Sequence, residues 1–92
     1  MNVKPNDLWL LLLCTVRYSF RRSSYMSSLA WELVRDYHQN LSDDQLAQII
    51  GEIRKELDIC ETLDKTLISS IDQRAWKIGA DTLEKLLEAR KG

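Results

Sequence analysis

Three glycines, two cysteines and one histidine are all that this 92-residue chain offers of the residue types that build phosphate loops, disulfide scaffolds and metal sites. The glycines stand at positions 51, 79 and 92, too scattered for a loop that cradles phosphate. A single histidine cannot supply the ligands of a structural zinc site, so neither a metal nor another cofactor is expected. Cys14 and Cys60 are too few for a disulfide framework. Both fall inside apolar helical patterns and read as reduced core thiols of a cytoplasmic protein. A Cys–His pair would have to join one of them to His38, and no third group suggests itself to orient the pair. With no nucleophile beside a base and no phosphate loop, the chain reads as non-catalytic.

Long hydrophobic runs are also missing. The longest, Leu8 to Cys14, has seven apolar residues, whereas a membrane-spanning helix needs about 20. Asp7 abuts the run and Arg17, Tyr18 and Phe20 follow it, which does not fit a secretory leader. Charge of one sign is lacking too: thirteen Lys and Arg against fourteen Asp and Glu give a net charge of −1. That balance argues against bulk attraction to a phosphate backbone. A mild asymmetry remains, +2 through His38 and −3 beyond it.

What the chain does have is apolar periodicity. With 45% hydrophobic and 29% charged residues, it suits one small globular domain that buries roughly 60–65% of its unfolded surface. Four helices are predicted, over about residues 5–21, 24–39, 43–59 and 71–90. In the first, Leu8, Trp9, Leu12, Leu13, Val16 and Phe20 share one broad side, with Arg17 and Arg21 on the exposed strip. In the second, Tyr25, Met26, Leu29, Ala30, Leu33, Val34 and Tyr37 form the apolar side. Ser42-Asp43-Asp44-Gln45 spells a capping box at the start of the third, with Leu41 and Leu46 at the two positions of a hydrophobic staple.

The third helix carries Leu46, Ile49, Ile50, Ile53 and Leu57 on one stripe, with Glu52 and Glu56 placed away from it and Gly51 facing solvent. Between Cys60 and Ser69 the pattern blurs into a connection. Ser70-Ile71-Asp72-Gln73 repeats the capping signal and opens the last helix. There Ile71, Ala75, Ile78, Leu86 and Ala89 form one apolar stripe and Trp76, Ala80, Leu83 and Leu87 a second. Gly79 falls between the two, where a glycine either lets another helix approach closely or, with Asp81-Thr82-Leu83-Glu84 behind it, stops one helix before a new cap; the uninterrupted charged arc of Arg74, Lys77, Asp81, Glu84, Lys85 and Glu88 favours one continuous helix. The fold class that follows is a compact all-α bundle of about four helices in a single domain.

Two surfaces stand out. Trp31 projects about 150° from the apolar centre of the second helix, in company with Ser27, Ser28, Arg35 and His38. Because Trp and Arg anchor protein interfaces most often, these five residues form the candidate partner-binding patch. The alternatives are that the second helix is buried on two sides, or that Trp31 seals a homodimer. The other surface is Arg17, Arg21 and Arg22 interleaved with Tyr18, Phe20 and Tyr25, a pattern that can grip phosphate and stack on bases. Without a basic background, the arginines are more readily explained by pairing with Asp36, Glu32 or the acidic C-terminal half, and nucleic acid is the second choice of partner.

The run LLLLCTVRY, followed by RRSSY and later by LVRDY, resembles the start of small proteins carried by bacteriophages and prophages, over the first forty residues. The resemblance brings no activity with it. It implies a mobile-element context, in which small proteins without catalytic motifs resemble inhibitors that bind host enzymes, including anti-CRISPR and anti-restriction proteins. The expectation is a protein-binding inhibitor or adaptor whose partner is a host or phage protein. An accessory protein that binds nucleic acid through Arg17, Arg21 and Arg22 is the alternative.

Overall fold

Serine caps and apolar stripes set the helix boundaries. The computed structural model describes residues 5–20, 24–62 and 69–91, and within them every long element is a helix: α1 (Pro5–Ser19), α2 (Ser24–Tyr37), α3 (Asp43–Thr62) and α4 (Ser70–Lys91). A 3-10 turn, His38–Asn40, ends α2. The Ser42 box forms as read from the sequence. The Gln45 amide donates to Ser42 Oγ at 3.2 Å, and Gln45 Oε1 accepts from the Ser42 amide at 3.1 Å. Leu41 and Leu46 on either side of it are both buried.

The cap of α4 lies one residue earlier than expected. Ser69, not Ser70, accepts the Asp72 amide at 3.1 Å, and its hydroxyl donates to Asp72 Oδ2. The helix then runs unbroken through Gly79 to Lys91. The Cys60–Ser69 connection is only partly described: α3 continues to Thr62, two residues past Cys60, and residues 63–68 lie outside the described residues.

Packing joins α1 to α2 and α3, and α4 to α3 and α2. α1 and α4 therefore stand on the diagonal. Side-chain pairs give the directions: Ser27 with Trp76 and Trp31 with Gly79 set α2 parallel to α4, whereas Arg54 with Asp81 and Asp43 with Arg90 set α3 antiparallel to it. The core between them holds Leu12, Val16, Val34, Leu46, Ile49, Ile53, Trp76 and Leu83. Among the described residues the molecule is an all-α bundle of four helices, with a Cα envelope of 38 × 30 × 16 Å.

Four expectations about which side chains face inward are corrected. Cys14 is exposed and only Cys60 is buried, because α1 turns Leu8, Leu12 and Val16 to the core and leaves its Leu10–Leu11–Cys14–Tyr18 side outside. Glu52 and Glu56, placed on the outer side of α3, are buried, because α1 covers that side and brings Arg17 to Glu52. On α4 the Trp76–Ala80–Leu83–Leu87 stripe is buried, but Ile71, Ala75, Ile78, Leu86 and Ala89 are exposed, since α2 and α3 cover one side of the helix only. The fourth correction is the phase of α2. Its inward side is centred on Ser27, Ala30 and Val34, with Leu29 left exposed, a rotation of about 80° from the apolar centre read in the sequence. The side chains of Tyr25 and Met26 lie outside the described residues.

Candidate functional site

The rotation of α2 changes the surroundings of Trp31. The indole does not project away from the core; it is half-buried and packs against it. Its six-membered ring lies over Gly79 of α4, so close that a Cβ at that position would stand 2.6 Å from the ring edge. Trp31 also meets Trp76 edge-on, with ring centroids 5.7 Å apart and planes at 79°, a favoured geometry for aromatic pairs. Phe20, just beyond α1, packs on the same Trp76 at 5.2 Å.

Ser27 belongs to this packing and not to a free surface. It is buried, and its Oγ accepts the hydrogen bond donated by Trp76 Nε1. A buried indole N–H needs such an acceptor, which explains a polar residue at the centre of the inward side of α2.

Outside this lock the seam between α2 and α4 opens into a cleft of about 220 Å³. Ser27, Ser28, Trp31 and Arg35 line it together with Glu32 from α2 and Asp72, Ala75 and Trp76 from α4. Four of the five residues singled out in the sequence thus share one cavity. Ser28 and Glu32 are exposed at its mouth. Arg35 is exposed too, and its Nε donates to Asp36 Oδ1 at 3.2 Å. With Glu32 and Asp72 at the rim and Arg35 balanced by Asp36, the mouth is acidic, its inner wall aromatic.

His38 does not join them. It is buried in the 3-10 turn, where Nδ1–H donates to the Arg35 carbonyl at 2.7 Å. Arg90 near the end of α4 donates to the His38 carbonyl at 3.2 Å and to the Leu41 carbonyl at 2.8 Å. This corner ties the α2–α3 connection to α4. It is structural, and it sits a full helix length, roughly 30 Å, from Cys60 at the other end of α3. Burial pushes the Cys60 thiol up, with Glu56 adding to the shift, so the thiol stays protonated at neutral pH.

Arg17 of the arginine group is ion-paired: its Nε donates to Glu52 Oε1 at 2.9 Å. The hydrogen bond and the guanidinium charge hold Glu52 below the usual carboxylate range. Phe20 is buried, while Tyr18 is exposed. Arg21 and Arg22 lie outside the described residues. One of three arginines therefore spends its charge on the acidic α3, which lowers what the group can offer to phosphate.

A second concavity, about 340 Å³, lies between α3 and α4 and includes Arg54, Asp58, Glu61, Arg74 and Lys77. Its charges are mixed, and Arg54 is held by Glu84 at 2.6 Å and Asp81 at 2.8 Å. Among the described residues, no three His, Cys, Asp or Glu side chains gather as metal ligands, and no helix is long and apolar enough to cross a membrane. The surface that the sequence reading missed is the outer stripe of α4. Its signal was present in the two apolar stripes on one helix, more than a corner position in a four-helix bundle can cover. No protein-family model, curated protein sequence or solved structure matches the chain.

Proposed function

We propose that this chain is a non-catalytic protein-binding module that engages its partner along the α2/α4 seam. The observation that carries the reading is the cleft itself: an aromatic wall of Trp31 and Trp76 beneath an acidic mouth of Glu32 and Asp72. At about 220 Å³ it is smaller than the roughly 300–1,000 Å³ of small-molecule sites, a size suited to a single protruding side chain. An apolar anchor next to a basic residue on a partner protein fits such a mouth. The large apolar side chains left in solvent on α1 and α4, with Ile71 79% and Ile78 59% exposed, support an interaction role in general. Together with the resemblance to phage-borne proteins, this favours an inhibitor or adaptor that occupies a host protein, with CRISPR and restriction complexes among the targets to try.

Affinity capture from host extract, with and without nuclease, tests the reading. Ser28→Trp plugs the mouth and Glu32→Arg reverses its charge, and both sites are exposed, so the fold is expected to persist. A protein partner retained after nuclease treatment and lost with either variant supports the cleft. A partner retained equally by both variants overturns it.

A further inference from the structure

The cleft between α2 and α4 has a charge order as well as a shape. Glu32 stands on one wall and Asp72 on the other, with Trp31 and Trp76 beneath them. Glu32 has no ion-pair partner among the described residues, and Asp72 Oδ2 accepts from the Ser69 hydroxyl, a neutral group. The cation in the lining, Arg35, is matched by Asp36 at 3.2 Å. Two whole negative charges are therefore left at the mouth. Opposing them are the N-terminal ends of α2 and α4, parallel helices that both begin at this end of the seam. Each helix end is worth about half a positive charge and fades within the first turn. The balance stays negative, and the guest it favours is a cation.

We propose that the cleft takes an arginine side chain of the partner protein. The proposal rests on the protein-binding reading above and makes the basic residue itself the anchor. The aromatic wall is the first reason. The Trp31 and Trp76 rings stand at 79° to each other, so a flat group laid parallel to one meets the other edge-on. A guanidinium is flat, weakly hydrated and stacks on indole rings, whereas the ammonium of lysine is a compact and strongly hydrated charge.

The placement of acceptors is the second reason. They lie on opposite walls of the mouth, while inside the cleft Ser27 Oγ already serves the Trp76 N–H. A guanidinium carries its donors around its edge. Lying flat across the mouth, it donates to Glu32 on one side and Asp72 on the other while its face rests on the rings. Ser28 and Ala75, both small, leave room between the walls. Arg35 acts against the guest, since it carries the same charge.

Nuclear magnetic resonance of the full chain is the test, read at the indole N–H signals, with Trp31 assigned by the signal that Trp31→Phe removes. The probe is N-acetyl-arginine methylamide, compared with the lysine, norleucine and glutamate compounds blocked in the same way. The arginine compound is expected to shift the Trp31 signal in a saturable way at about millimolar concentration, and to bind more tightly than the other three. Glu32→Gln should weaken it about two- to fivefold, the worth of an exposed ion pair, and Arg35→Gln should tighten it by a similar factor. Both sites are exposed, and thermal unfolding should stay as in the parent. Norleucine binding as tightly as arginine overturns the proposal, because the cleft then takes apolar anchors; lysine doing so removes the role of the flat group and overturns it too. Glutamate binding best overturns it in favour of the helix ends. An arginine shift that is absent, or indifferent to both substitutions, also overturns it. In each of these cases a captured protein lost with Ser28→Trp still supports the protein-binding reading, so the two failures are told apart.

Discussion

α4 meets α2 through rings pressed on backbone, and meets α3 through aliphatic side chains with ion pairs along the rim. At the α2 seam, Trp31 rests on Gly79, Trp76 lies between Trp31 and Phe20, and the Trp76 N–H is satisfied by Ser27. At the α3 seam, Ile49, Ile53, Ala80 and Leu83 belong to the buried core, while Arg54 binds Asp81 and Glu84 and Arg90 approaches Asp43 at 3.5 Å. The first seam depends on shape and has no room for an added carbon. The second has adjustable charges at its edge, so it tolerates substitution better and responds to pH and salt.

The sharpest test of that contrast is Trp76→Ala. Removing a buried Trp costs about 3–5 kcal/mol, and here it also opens the Trp31 and Phe20 contacts and leaves the Ser27 hydroxyl without its donor. Against a total stability of about 5–15 kcal/mol for a small domain, urea denaturation should show a protein near the edge of unfolding. A variant within about 1 kcal/mol of the parent would show that the aromatic seam is not the main tie.

Gly79→Ala separates shape from intrinsic helix preference. In the parent, the new methyl drives into the Trp31 ring and should cost about 1–3 kcal/mol, with a change in the near-ultraviolet signal of the tryptophans. In a Trp31→Ala background the obstacle is gone, and the same substitution should stabilise by up to about 1 kcal/mol through helix propensity. A double-mutant cycle reads this change of sign directly. The other mid-helix glycine is the control. Gly51 has nothing within 4 Å of where its Cβ would be, so Gly51→Ala should stabilise by about 1 kcal/mol in any background.

Arg54→Ala should have the smallest effect, a few degrees or less in the thermal midpoint. Hydrogen bonds and charge from Arg54 hold the Asp81 and Glu84 carboxyls below their ordinary values. Their contribution is therefore complete above the unfolded carboxylate range and disappears as pH falls through the lowered folded values. The gap between parent and variant should close in acid and in high salt. A gap that persists in both would mean that the Arg54 stem, and not its charge, holds α3 to α4.

Part of this architecture was legible in the chain. The box at Ser42–Gln45, the solvent-facing Gly51, the close approach at Gly79 and the four helices all follow from spacing and capping chemistry. The phase of α2 was not legible, because periodicity weighs Leu29 and Leu33 above Ser27. The buried serine accepts the Trp76 N–H from another helix, and no local pattern records that pairing. Trp31 was misplaced for the same reason: its seat is a gap in another helix, forty-eight residues away in sequence. Four of the five residues of the candidate site still line one cleft, since side chains close in sequence on α2 move together when the helix turns; His38 separates because the helix ends before it.

The sequence by itself determined the elements: where each helix starts to within a residue, that Gly51 faces solvent and that the fold is a helical bundle. These are properties of the local backbone and its caps, set within a few residues. Tertiary structure alone decided which of two apolar stripes on α4 is covered, that Glu52 and Arg17 meet, and which way Trp31 faces. Each of those depends on which helices are neighbours, and a neighbour's side chain at thirty or more residues' distance enters no local periodicity.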